Sequence, residues 1–313
     1  MKGLELARQY YETCGKEILQ AQFSDVLPYL AIGLAGSGSE CYGFDDETSR
    51  DHDFEPAFCI FLPDENMVDR RTEFLLERSY AKLPKQLMGY QRSALTPVGG
   101  SRHGVIRMAE FFLSKTGSPN GELSVEQWFS LPEYGLLEAT NGEVFTDPYG
   151  QFSAIREKLR YFPEDVRQKK LAGHLLLMGQ AGQYNYGRCV ARGETAAAQL
   201  AVFEFTQSAL HSVYLLNRAY MPYYKWSFRG LKNLSRLSEL AAELEYLISS
   251  GNTADEAKKK MDMIERVCAA VANELQAQGL TELQNTEMEQ QAYALNDTIT
   301  DPDIRNLHIL QGV

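Results

Sequence analysis

The sequence predicts an α+β protein: a strand-bearing N-terminal part over residues 1–150 and an all-helical part over residues 151–313. Three observations lead there. Short apolar runs bounded by Gly, Pro and Ser punctuate the first half, as buried strands do. After about Phe152, Gly and Pro thin out, and apolar residues recur every three or four positions, as on helix faces. At 313 residues the chain is long enough for two separate cores.

Taken in order, residues 4–21 read as a helix with Leu4, Ala7, Tyr11, Ile18 and Ala21 on one face, interrupted by Gly15. Tyr29 to Ala35 is a short apolar run after Pro28 and reads as a buried strand. A second strand runs from about Asp53 to Leu62 and is closed by Pro63. Asp64 opens a polar helix to about Leu83, with Phe74, Leu75 and Leu76 as inner contacts. After the turn-rich Thr96–Gly100 comes a third strand, through Val105 to Phe112. Ser124 and Gln127 match a capping box, and Gly142 to Pro148 reads as one more short strand and turn. Helical patterns then cover about 152–160, 164–182, 186–220, 232–249, 253–277 and 282–295. Leu200, Phe203, Leu210 and Val213 form the core stripe expected of the third.

Composition narrows the function classes. Five scattered cysteines without a Cys-x-x-Cys pair argue against a disulfide framework or a zinc site and fit a reducing cytoplasm. The N-terminus carries acidic and polar groups too early for a signal peptide, and no apolar run reaches bilayer length. A net charge of −11 disfavours a non-specific grip on nucleic acid, although a local basic groove remains compatible with it.

The stretch that points to chemistry is Gly36-Ser37-Gly38-Ser39-Glu40-Cys41-Tyr42-Gly43, followed by Ser49-Arg50-Asp51-His52-Asp53. Small residues let backbone N–H groups approach an anion at low steric cost. On a strand, Asp51 and Asp53 point to one face. Adjacent carboxylates repel unless a cation lies between them, and oxygen-only ligands suit Mg²⁺. The alternative is a surface acidic turn with an Asx-type bend.

Gly38-Ser39-x-x-x-Gly43 with Ser49-x-Asp51-x-Asp53, eleven residues separating Ser39 from Asp51, resembles the signature of the DNA polymerase β-like nucleotidyltransferase superfamily. The longer string from Gly36 to Asp53 looks like a bacterial branch carrying the domain DUF4037. Leu216-Asn217-Arg218-Ala219-Tyr220-Met221-Pro222-Tyr223-Tyr224-Lys225-Trp226 is similar to that branch's helical domain. The resemblance implies a mixed sheet with flanking helices, two Mg²⁺ ions, and transfer of a nucleoside monophosphate from a nucleoside triphosphate, with ATP as the expected donor. The acceptor is a small molecule or a protein; nucleic acid and membrane are not expected partners.

In that scheme Asp51 and Asp53 hold the metal ions, and Gly36, Ser37, Gly38 and Ser39 cradle the phosphates. Glu110 is the candidate third carboxylate, on the strand through Val105. The branch's acid is expected nearer Val105, where this chain has Ile106 and Arg107. His52 faces away as a hydrogen-bonded neighbour. Arg50 reaches a phosphate or pairs with a solvated loop of Asp45, Asp46 and Glu47. Arg218 and Lys225 offer cations, and Tyr220 and Tyr224 offer flat faces, for a triphosphate and a stacked base. An aromatic corner that packs the two parts together is the alternative for Tyr220 to Tyr224. The chain is accordingly expected to be a cytoplasmic enzyme. A catalytically silent nucleotide sensor or partner-binding module on the same fold is the other expectation.

Overall fold

The computed structural model describes residues 1–51, 54–92 and 102–313; the side chains of Arg50 and Asp51 are outside the described set. The chain divides into two compact units, Met1–Leu123 with Leu131–Arg160, and Ser124–Ser130 with Tyr161–Val313. The division thus falls after Arg160, and the short capped helix at Ser124 goes with the second unit.

The first unit opens with α1 (Gly3–Tyr10), one π-helical stretch over Tyr11–Gly15, and α2 (Lys16–Gln22). The extra residue of a π turn shifts the helix phase. The buried face is therefore Leu6, Ala7, Tyr10, Tyr11 and Leu19, while Ala21, expected inside, is exposed. Next come β1 (Ala31–Leu34), β2 (Cys59–Leu62), α3 (Arg70–Ala81), the small hairpin β3 (Gln86–Leu87) and β4 (Tyr90–Gln91), and β5 (Gly104–Arg107). These are followed by α4 (Met108–Thr116), α5 (Val125–Ser130), α6 (Glu133–Thr140), β6 (Glu143–Thr146) and α7 (Gln151–Lys158). Of these, α5 belongs to the second unit.

Four strands form one mixed sheet in the order β5-β2-β1-β6. β1 runs antiparallel to both neighbours, pairing Ile32 with Ile60 and Leu34 with Glu143, and β2 runs parallel to β5, pairing Phe61 with Ile106. Side chains alternate across the sheet. Ile32, Ile60 and Leu62 join Tyr10, Leu19, Leu76 and Tyr80 in one apolar cluster, with Val105 and Phe145 packed against it. On the opposite face Phe61 stacks on Phe152 of α7, with centroids 4.1 Å apart, and meets Phe111 of α4 edge-on at 5.1 Å. Burying each such ring contributes about 1.5–3 kcal/mol.

Three local expectations change in this unit. The second strand begins at Cys59, not Asp53, and Thr48–Asp51 is a 3₁₀ turn in which the Asp46 carboxylate accepts the Ser49 N–H at 3.1 Å. The helix expected from Asp64 begins at Arg70, with Asp69 as its N-cap accepting the Thr72 N–H at 2.8 Å. It buries Leu76, whereas Phe74 and Leu75 are exposed. The third strand stops at Arg107, because Met108 to Thr116 closes into a helix ended by Gly117 in the left-handed region. An apolar run of this length satisfies both periods, and packing against Phe61 and Phe152 decides for the helix.

The second unit is helical. The capping box at α5 forms as expected: the Ser124 N–H donates to Gln127 Oε1 at 2.9 Å, and the Gln127 N–H to Ser124 Oγ at 3.2 Å. There follow α8 (Glu164–Met178), a π-helical stretch Gly179–Tyr186, α9 (Gly187–Ala191), α10 (Thr195–Leu216), α11 (Tyr224–Leu231), α12 (Ala241–Ser249), α13 (Ala254–Ala277), α14 (Met288–Asp297) and α15 (Pro302–Arg305). The pattern over 186–220 is two helices, broken between Ala191 and Thr195. In α10 the buried stripe is Ala198, Val202, Phe205, Ala209 and Val213; Leu210 is buried as expected, but Leu200 and Phe203 are 69% and 44% exposed. No described helix is long and apolar enough to cross a membrane.

Candidate functional site

β1 delivers the chain into the Gly36–Gly43 turn, and tertiary contacts hold the turn at its start. Gly36 adopts φ +114° and Gly38 φ +142°, conformations that L side chains avoid. The side-chain amide of Asn141, buried at the end of α6, grips Gly36 on both sides. The Gly36 N–H donates to Asn141 Oδ1 at 2.9 Å, and Asn141 Nδ2 donates to the Gly36 carbonyl at 2.9 Å. Asn141 is held in turn, its carbonyl accepting from Arg156 at 2.6 Å.

Beyond Gly36 the turn tightens. The Gly38 carbonyl accepts from Cys41 N at 3.1 Å and Tyr42 N at 3.3 Å, and the Ser39 carbonyl accepts from Phe44 N at 2.8 Å. These bonds use carbonyls on the N-terminal side of the turn. The backbone N–H groups of Ser37, Gly38, Ser39 and Glu40 have no partner among the described residues. Consecutive N–H groups on a glycine-rich bend form a concavity suited to an anion.

Charged side chains surround the turn. A Cβ at Gly38 would collide with the Glu40 carboxylate, which is itself buried and lies 3.7 Å from Arg102 Nη2. Arg102 Nη1 donates to the Ser37 carbonyl at 3.2 Å. Glu138 of α6 accepts from Lys115 Nζ at 2.6 Å and from the Tyr42 hydroxyl at 2.9 Å, tying α4 to the turn. Burial, reinforced by Glu138, pushes the Tyr42 phenol up, so it acts as a donor. Burial also raises Cys41 well above its ordinary value and pushes Cys59 up to about 12, which removes both thiols from nucleophilic chemistry near neutral pH.

A cavity of about 230 Å³ opens beside the turn, walled by Ala35, Gly36 and Ser37 on one side and by Glu110, Phe111, Ser114 and Lys115 of α4 on the other. Arg102 and Ile106 complete it. Glu110 is therefore on a helix and not on the strand expected for it, yet it faces the same space as Gly36 and Ser37. Of the two residues near Val105, Ile106 lines the cavity, whereas Arg107 is buried elsewhere. It donates to Glu73 at 2.6 Å and to the Pro63 and Val68 carbonyls at 2.8 Å, bracing the turn before α3.

The remaining expected residues fall into three groups. His52 and Asp53, and the side chains of Arg50 and Asp51, lie outside the described residues. Asp51 ends a 3₁₀ turn, so the two-residue strand period invoked for the aspartate pair does not hold at that position. Asp45 is buried, not solvated: it accepts the Gly3 N–H at 2.9 Å and, with the Lys2 ammonium at 3.4 Å, fastens the start of α1.

Arg218, Tyr220, Tyr224 and Lys225 belong to the second unit. Arg218 pairs with Glu164 at 2.8 Å. Burial works to raise the Glu164 carboxyl, but hydrogen bonding and charge from Arg167, with Gln168 and Arg218, outweigh it and hold the group down to about 2. Tyr220 is buried edge-on against Phe162, centroids 4.9 Å apart. Tyr224 is 72% exposed and Lys225 is exposed, with its ammonium 5.1 Å from the Trp226 ring centre.

Residues 128–227 match the model of DUF4037, a domain of unknown function. The DUF4037 segment holds Glu138, Asn141 and Arg156 in the first unit and Arg218 to Trp226 in the second. The Gly36–Gly43 turn precedes it. A comparison with curated proteins finds no match.

The residues that organise the site and escaped sequence reasoning are Asn141, Arg102, Lys115 and Glu138. Each sits 59 or more residues from the turn and in none of the motifs read from the sequence. Their only local signal is that Asn141 closes α6 just before Gly142.

Proposed function

We propose that the chain is a Mg²⁺-dependent nucleotidyltransferase that moves a nucleoside monophosphate from a nucleoside triphosphate to a hydroxyl acceptor. ATP is the expected donor. The observation that carries this reading is the run of backbone N–H groups from Ser37 to Glu40 that have no partner among the described residues, on a turn fastened by Asn141 at the end of a central strand. In this reading those N–H groups and the Ser39 hydroxyl hold the β- and γ-phosphates.

Asp51, Asp53 and Glu110 make an all-carboxylate donor set of the kind that suits Mg²⁺, and Glu110 shares a cavity with Ser37. When bound, the metal supplies neutralisation of the triphosphate charge. Glu110 accepts the acceptor's hydroxyl proton. Of the second unit's candidates, Tyr224 and Lys225 are open to a ligand, whereas Tyr220 is engaged in packing and Arg218 in an ion pair.

Isothermal titration of ATP, CTP, GTP and UTP with Mg²⁺ tests the reading. At least one nucleotide is expected to bind the native chain and to bind Asp51→Asn/Asp53→Asn at least tenfold more weakly. Absence of binding, or equal binding by the double variant, overturns it.

One observation favours the silent-sensor alternative. β5 carries no carboxylate, and its charged residue, Arg107, is committed to Glu73. Pyrophosphate release from a nucleoside triphosphate in the presence of cell extract separates the two, because a sensor releases none.

A further inference from the structure

The outer face of α3 and the hairpin after it carry a charge opposite to that of the whole chain. Residues 70–92 hold six Lys/Arg and two Glu, in a chain of net charge −11. By helical spacing Arg71, Phe74, Leu75, Arg78 and Lys82 share one side, opposite buried Leu76 and Tyr80. Phe74 and Leu75 are 55% and 43% exposed, and Arg71, Arg78, Lys82 and Lys85 are exposed as well. None of these four cations has a carboxylate partner among the described residues; Arg78 lies over the Phe74 ring, 5.8 Å from its centre. The acids of α3 do not neutralise them. Glu73 takes Arg70 and the buried Arg107, and Glu77 projects about 100° round the helix from Arg78. Arg78 and Lys82, one turn apart, repel each other, as like charges at this spacing do.

The tip of the β3–β4 hairpin extends the pattern. Met88 and Gly89 both have positive φ, +50° and +86°, in the two-residue turn where Asn-Gly is the usual pair. A bulky residue is strained there, and the Met88 side chain is 62% exposed, so packing within the chain does not account for it.

Unpaired cations interleaved with protruding apolar groups select the partner. Nucleic acid would use the cations and one ring, Phe74, which Arg78 already covers, while the aliphatic Leu75 and Met88 offer bases no flat face. A lipid surface uses both sets: apolar side chains enter the boundary of the acyl region, and the cations stay with the headgroup phosphates. Membranes are set aside at the level of sequence because no apolar run is long enough to cross one, but a surface contact needs no crossing helix.

We propose that the outer face of α3, with the β3–β4 tip, is a peripheral contact for an anionic phospholipid surface. Phe74, Leu75 and Met88 are the inserting groups, and Arg71, Arg78, Lys82 and Lys85 hold the headgroups. The contact is independent of the nucleotidyltransferase reading.

Co-sedimentation of the full chain with vesicles tests the proposal. Phosphatidylcholine vesicles with about one-third phosphatidylglycerol are expected to retain the chain at low salt, and pure phosphatidylcholine vesicles at least tenfold less. Each cation near an anionic surface strengthens binding about fivefold, so Arg71→Ala/Lys82→Ala should weaken retention at least tenfold. Phe74→Ser/Leu75→Ser, at exposed positions, keeps every charge and should weaken it at least fivefold. Tryptophan emission of Phe74→Trp, relative to the native chain, should shift to shorter wavelength with the anionic vesicles alone. Absence of retention, equal retention on neutral vesicles, or retention that one of the double variants leaves unchanged overturns the proposal. Binding of a single-stranded oligonucleotide that Arg71→Ala/Lys82→Ala abolishes, without retention on vesicles, assigns the face to nucleic acid and likewise overturns it.

Discussion

Replacing Asn141 with Ala tests whether the turn is held from outside itself. The substitution deletes two hydrogen bonds to one residue, both at 2.9 Å, and leaves the N–H and carbonyl of buried Gly36 unpaired. An unsatisfied buried polar group costs about 1–3 kcal/mol, so the two together predict a loss of about 2–6 kcal/mol, reduced if water enters. Asn141→Asp retains the acceptor for the Gly36 N–H but sets an oxygen against the Gly36 carbonyl, so it should recover less than half of the loss. Amide hydrogen exchange read by mass spectrometry localises the effect. Protection should fall for Gly36–Phe44 and β1, with the second unit unchanged. If nucleotide binding is measured alongside, it should fall in step with the lost protection. A denaturation midpoint equivalent to less than about 0.5 kcal/mol of change, with exchange at Gly36–Phe44 unaltered, would refute the argument that Asn141 sets the turn.

Two further outcomes follow from other parts of the molecule. Glu73→Gln strips the buried Arg107 guanidinium of its charge partner, leaving only neutral acceptors, the new amide oxygen and the Pro63 and Val68 carbonyls; breaking such a pair should cost about 3 kcal/mol in urea denaturation, and Arg107→Leu with Glu73→Leu should cost less than the single change. His174 of α8 lies stacked on His211, centroids 4.4 Å apart, with no partner for its Nδ1 among the described residues. Burial, then His211 and Lys170, hold its proton affinity well below the ordinary 6.5. The folded state therefore binds this proton less readily than the unfolded chain. The stability it contributes is present above pH 6.5 and is lost as pH falls below it, with a slope of up to about 1.4 kcal/mol per pH unit. His174→Gln should flatten urea midpoints measured between pH 7 and 5, and an unchanged slope would exclude His174 as the source.

Local signals in the sequence were sound wherever the cause was local. The capping box at Ser124 and Gln127 forms because both partners lie within one turn. β1 and β6 lie where short apolar runs meet turn residues, and α13 begins at Ala254 behind its own capping box, with Thr253 as N-cap. The division into a strand-bearing part and a helical part was likewise visible, because the density of Gly and Pro follows the kind of element. Errors arose where two periods fit one run. Met108–Thr116 satisfies a strand and a helix alike, and α10 buries Leu210 and Val213 as expected but leaves Leu200 and Phe203, in its first half, facing outward. Only the facing surface chooses between such solutions.

By itself, the sequence determined the small-residue turn at Gly36–Gly43 and its spacing from Asp51 and Asp53, since backbone freedom and residue chemistry are written into residue types. Tertiary structure alone decided what surrounds that turn. Asn141, Arg102, Lys115 and Glu138 reach it from distant segments, and Glu110 faces it from a helix where a strand was expected. Arg107, the charged residue of β5 itself, is turned to the opposite face and spent on Glu73. The physical reason is that a bend in the backbone is a short-range property, whereas the charge and shape of a cavity are set by whichever side chains the sheet and its covering helices bring together.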